Sequence, residues 1–140
     1  MKNLFVLLFI SSLIFTACDD IFEPGDCENC AGVACTQDFR AITILVKDGN
    51  GDPVELNSFG AKFKETGKTV EHNFGDEYMD DGYYVIASDA NMEDVICDGT
   101  EIIFSYSTDG KTFKEETFLV GKDCCHIEWK DSKAQEIIIE

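Results

Sequence analysis

Six of the seven cysteines in this chain fall into two groups: Cys27, Cys30 and Cys35 stand within nine residues near the start, and Cys97, Cys124 and Cys125 come late. No other feature narrows the fold as much. Bonds between the groups would tie the first part of the chain to the last and close the body between them. Disulfides persist in oxidising compartments and are rare in the cytosol, so the reading turns on where the chain is sent.

The first residues bear on that. Met1-Lys2-Asn3 carries one positive side chain, Leu4 to Phe15 is apolar except for Ser11 and Ser12, and Thr16-Ala17-Cys18 follows. A positive start, an apolar stretch of about a dozen residues and small residues at a cut site describe an export signal. The stretch falls short of the roughly 20 apolar residues that a spanning helix needs, and Asp19-Asp20 ends it. Residues 1–17 are therefore expected to be removed. Phe15-Thr16-Ala17-Cys18 resembles the lipobox of bacterial lipoproteins, with Phe15 where an aliphatic residue is commoner. The resemblance implies that the Cys18 sulfur carries diacylglycerol and that Cys18 becomes the first mature residue. Two acyl chains hold a protein stably at a bilayer, where one does so only marginally. The expected membrane relation is thus anchoring through lipid on Cys18. Asp19, Asp20, Glu23 and Asp26 resemble the acidic export signal of surface lipoproteins in Bacteroidetes. That resemblance implies a cell-envelope address on the outer membrane, facing outward.

Loss of 1–17 removes only Lys2 from the charge count, so a formal −17 becomes −18. Such a surface repels phosphate backbones, and nucleic acid is excluded as a partner. The chain still has a core to build. Of its eleven Phe only Phe5, Phe9 and Phe15 leave with the signal, and the four Tyr and single Trp stay. Aromatic and β-branched residues of this kind favour pleated sheet.

With Cys18 set aside, the other six cysteines are expected to form disulfides, in a pairing that sequence alone leaves open. Cys124 and Cys125, read as strand neighbours, point to opposite faces and should hold different partners. The picture that results has Cys27, Cys30 and Cys35 stapling a tether and lead-in, 18–37, onto a domain spanning 38–140. Their partners come from Cys97, Cys124 and Cys125. Two sharper readings compete. Cys27-Glu28-Asn29-Cys30 has redox-motif spacing, but no strand precedes it. Cys27, Cys30, Cys124 or Cys125, and His126 are plausible zinc ligands by type, yet thiolates outside the cell tend to oxidise first.

Along the mature part, Phe39–Lys47 alternates with apolar residues on both faces, which predicts a central strand. Asp48-Gly49-Asn50-Gly51-Asp52-Pro53 is a turn. Ala61–Thr66 and Thr69–Phe74 are candidate short strands, Tyr83–Ala87 is a compact one, and Asp89–Asp94 is a polar connection with room for one helical turn. Glu101–Ser107 and Lys111–Val120 flank Asp109-Gly110, a strong hairpin signal. Cys124–Trp129 and Gln135–Ile139 complete the set. Short strands separated by Asp/Gly turns predict an all-β fold, an antiparallel β-sandwich of prealbumin-like or Ig-like type.

Ile42–Val54, with its D-x-x-G-x-P-V turn, and Gly82-Tyr83-Tyr84-Val85 resemble carboxypeptidase-regulatory-like domains, which are prealbumin-like sandwiches. Asp123-Cys124-Cys125-His126-Ile127 is similar to a segment of small Bacteroidetes lipoproteins. These resemblances imply a binding or structural role and carry over no catalytic residue.

The turn Asp48-x-Asn50-x-Asp52 has Pro53 and Phe59 where a calcium EF loop needs Gly and Glu. Weak calcium binding at Asp48, Asn50 and Asp52, or at Asp76, Glu77, Asp80 and Asp81, is the best small-ligand idea. No hydrolase, zinc-protease or phosphate-loop motif occurs, so neither a catalytic residue nor a cofactor is expected. His72 reads as exposed and His126 as structural. The favoured function is a non-enzymatic envelope module that touches a protein or glycan. The alternative is metal binding, calcium or zinc, or a cysteine-dependent enzyme.

Overall fold

A computed structural model of the chain describes residue 27 and residues 30–71 and 80–140. The signal segment, Cys18, His72, Asp76 and Glu77 lie outside the described residues, as does the end of the candidate strand Thr69–Phe74.

Alternation builds the first strand. β1 (Ala41–Asp48) buries Ile42, Ile44 and Val46 on one face and half-buries Thr43 and Leu45 on the other. Apolar character on both faces suits an interior strand, and β1 lies between β3 (Tyr83–Ser88) and β7 (Glu136–Ile139) in a three-stranded sheet. A second sheet has the order β2 (Ser58–Phe63), β4 (Thr100–Ser107), β5 (Lys114–Lys122), β6 (Ile127–Trp129). The two sheets pack face to face as an all-β sandwich. Ile44, Val46 and Ile86 from one meet Phe63, Ile102, Phe104 and Val120 from the other, all nearly or fully buried.

Among the described residues every strand pairing is antiparallel except one: β7 runs parallel to β1, with Val46 opposite Ile137. The second strand also begins earlier than its alternation predicts. β2 covers Ser58–Phe63, and residues 64–66 turn, because Gly67 N–H donates to the Phe63 carbonyl at 2.8 Å and bends the chain back. Thr69 makes only an isolated bridge to Lys62. The polar connection is a short 3-10 helix, Asp89–Asp94, whose Asn91 side chain accepts the Ser88 N–H at 2.9 Å.

The β1 turn fixes one end of the sandwich. Val54 N–H donates to the Val46 carbonyl and Val46 N–H to the Gly82 carbonyl, at 2.9 and 2.7 Å. Gly82 sits at φ +80, and a Cβ there would lie 2.7 Å from Pro53 Cβ and 2.9 Å from the Val46 carbonyl oxygen. Left-handed backbone and a backbone obstacle act together, so Gly82→Ala is expected to destabilise the fold by about 2 kcal/mol or more. A lowered urea midpoint checks this, and an unchanged midpoint refutes it.

Candidate functional site

The three disulfides are Cys27–Cys97, Cys30–Cys124 and Cys35–Cys125. Each joins the lead-in to the body, so Cys27, Cys30 and Cys35 are all held to the sandwich. Cys124 and Cys125 sit at the tip of the β5–β6 hairpin, not on a strand. Lys122 pairs with Ile127, and Asp123 N–H donates to the His126 carbonyl at 2.8 Å. Asp123 builds this tip by accepting the N–H groups of Cys125 and His126, both at 2.7 Å. Those donors, Cys125 first, hold the Asp123 carboxyl below its usual range. Two adjacent cysteines therefore reach, from a turn, two different residues of the lead-in, which lies as a strap over this end.

Beneath the strap lies a polar node. His126 is 5% exposed, and its Nδ1 lies 2.7 Å from Asp89 Oδ2. Asp89 also accepts the N–H of Arg40 at 2.8 Å and that of Ile127 at 2.9 Å. His126 Nε2 faces the Thr36 hydroxyl at 3.3 Å. With Nδ1–H donating to the carboxylate, Nε2 of a neutral ring accepts from Thr36. Burial alone would raise the Asp89 carboxyl, but the His126 hydrogen bond and the two backbone donors outweigh it and hold the carboxyl below its usual range.

Hydroxyl, imidazole and carboxylate in this order match an acyl-transfer triad. Such a triad also needs N–H donors aimed at an oxyanion. The amides of Cys125 and His126 are spent on Asp123, and those of Arg40 and Ile127 on Asp89. The node acts as a clasp joining the strap, the end of β3 and the β5–β6 hairpin. Asp89 was not legible as its centre, because its partners lie 37 and 49 positions away.

The metal and redox readings meet a similar accounting. Cys27, Cys30, Cys124 and Cys125 are all disulfide-bonded, so none offers a thiolate. Asp48 turns its carboxylate inward: Oδ1 accepts the N–H of Asn50 and of Asp52, at 2.8 and 3.0 Å, and Oδ2 accepts the Asn50 amide at 3.2 Å. The Asp52 and Asn50 donors lower its carboxyl below the usual range. Among the described residues, no three His, Cys, Asp or Glu side chains converge as a metal site.

The strand registers show that the molecule has two unlike ends. Ala41 of β1 pairs with Ser88 at the end of β3 that leads into Asp89, and Leu45 pairs with Tyr83 at the other end. From Ser88 to Tyr83 is about 17 Å along the strand. The clasp and disulfides occupy the first end. At the second, Pro53, Glu55, Leu56, Phe59, Asp80, Asp81, Gly82, Tyr83 and Tyr84 line an open groove. Phe59 and Tyr83 are 44% and 39% exposed. Tyr84 is fixed from both sides: its hydroxyl accepts the Leu56 N–H at 2.7 Å and donates to the Val54 carbonyl at 3.0 Å. Phe59 meets Tyr84 edge-on, with centroids 4.6 Å apart and planes at 64°. Burial, and then the charges of Glu55 and Asp81, push the Tyr84 hydroxyl above its usual range, although the Leu56 N–H pulls the other way.

Geometry thus defines a disulfide-strapped β-sandwich with a clasp at one end and a ring-lined groove at the other. Compared with protein-family models, curated proteins and solved structures, the chain finds no match.

Proposed function

We propose that this chain is a lipid-anchored, non-catalytic binding module of the bacterial cell envelope. Diacylglycerol on Cys18 holds it to the outer membrane, and its far end meets another envelope component. The observation that carries this reading is the polarity of the sandwich. Lead-in residues closest in sequence to Cys18 are cross-linked to one end, and the exposed groove rings lie at the other. Nine residue steps separate Cys18 from Cys27, a reach of about 30 Å at most. A module tied so closely by its clasped end presents the groove end away from the bilayer. The prealbumin-like resemblance belongs to the same reading. It is supported by the Asp48–Pro53 turn, which returns Val54 onto Val46, and by Tyr83–Val85 running beside β1.

Intact mass of the protein extracted from membranes tests the anchor. The expected chain begins at Cys18 with added acyl mass. Cys18→Ser is expected to lose that mass and leave the detergent-extracted membrane fraction. A native chain with no acyl mass at Cys18 would refute the anchoring.

A further inference from the structure

The groove at the far end has a chemistry that narrows what can enter it. Its walls are aromatic or apolar: Pro53, Leu56, Phe59, Tyr83 and Tyr84. Among the described residues its charged lining is acidic, namely Glu55, Asp80 and Asp81, and none of these pairs with a described Lys, Arg or His. Elsewhere several of the scarce lysines are occupied: Lys47 pairs with Glu136, Lys64 with Glu101 and Lys68 with Asp94. The rings are also not coplanar. Phe59 and Tyr84 meet at 64°, forming a corner. Tyr84 is buried, so the ring surface offered to a ligand here is that of Phe59, beside the carboxylates. Ring faces carry negative quadrupole charge and attract ammonium groups. The corner is prearranged, because Tyr84 is held through its hydroxyl and Gly82 is wedged against Pro53. Binding there costs little ordering.

We propose that this groove receives a lysine side chain from an extended segment of a partner protein. The alkyl stem lies along Leu56 and Pro53, and the ammonium sits against the exposed Phe59 ring, facing Glu55, Asp80 and Asp81. A formal charge of −17 draws basic partners toward the domain over long range. The inference rests on the reading of the chain as a binding module and adds the chemistry of what it binds. It does not depend on the lipid.

The test uses the full, disulfide-bonded chain, labelled with 15N and held in a maltoside detergent that itself carries no ammonium. The probe is a capped Gly-Gly-Lys-Gly-Gly peptide, with a norleucine peptide and glucosamine as contrasts. The expected result is saturable amide shifts centred on Phe59, Gly82, Tyr83 and Tyr84 with the lysine peptide. Norleucine should weaken binding at least about tenfold, and Phe59→Ala or Glu55→Gln about fivefold each. Glu55→Gln removes charge without removing packing, so its loss of affinity is not a folding effect. Equal binding of the norleucine peptide, or tighter binding of glucosamine, overturns the proposal. Shifts confined to the clasped end overturn the groove but leave a binding module standing. Missing acyl mass on Cys18 strikes the anchor and leaves the groove untouched.

Discussion

Replacing Cys27 and Cys97 together by serine is expected to destabilise the protein more than replacing either other bridged pair, although all three bridges close long loops. The sequence separations are 70, 94 and 90. In the chain-entropy account, any one bridge alone in the unfolded chain is worth about 4–5 kcal/mol. The bridges are not alone. With the other two in place, restoring Cys27–Cys97 closes an effective loop of about 30 residues and contributes about 3.5 kcal/mol. Cys30–Cys124 and Cys35–Cys125 instead shadow each other, since their ends lie five positions and one position apart in the sequence. Removing either leaves the other to close nearly the same loop, at a cost of about 2 kcal/mol. Removing both should cost about 6 kcal/mol, more than twice the single effect. Full reduction should remove about 10 kcal/mol, comparable with the whole stability of an ordinary domain. Urea titrations of the three paired serine variants and the four-serine variant check this order. Equal losses from all three pairs, or strict additivity of the last two, would overturn it.

What the sequence shows and what it hides divide along the range of the interactions. β1 is legible because alternation over Ile42, Ile44 and Val46 is a local pattern, and apolar residues on its other face signal an interior position. The β4–β5 hairpin is legible through Asp109-Gly110, where Asp109 takes the N–H groups of Lys111 and Thr112 at 2.8 and 2.7 Å. β2 shifts toward its N-terminus because its register is set by β4, opposite Ser58 and Phe59, which no local pattern reports. The run Ile137-Ile138-Ile139 announces a strand but not that it lies parallel to β1. The groove is hidden for the same reason. Phe59 and Tyr83 are unremarkable apart, and only the closing of two sheets brings them together with Glu55 and Asp81. The six cysteines are the exception: a covalent long-range contact leaves its mark in the residue type itself.

Asp89→Ala is expected to loosen the clasp and to remove part of the protein's sensitivity to acid. The substitution leaves three donors without an acceptor: the N–H groups of Arg40 and Ile127 and Nδ1 of His126. The side chains of His126 and Asp89 are only 6% and 12% exposed, so water does not fully replace what is lost. Breaking such a buried, hydrogen-bonded pair costs about 3 kcal/mol. The pH dependence follows from the lowered carboxyl. Its folded value lies below the ordinary 3.8, so the unfolded chain takes up the proton first as pH falls. The stability Asp89 supplies is therefore complete at neutral pH. It declines as pH falls through the ordinary carboxylate range and is gone below the folded value. Asp123 carries the same sign at the same end of the sandwich, so acid should release the strap end before the core unfolds, within the limit set by the disulfides. Urea midpoints of wild type and Asp89→Ala should differ at neutral pH and converge in acid, and amide exchange at Arg40 and Ile127 should rise in the variant even at neutral pH. Parallel pH profiles with unchanged exchange at both amides would mean that Asp89 is not what holds the strap to the sandwich.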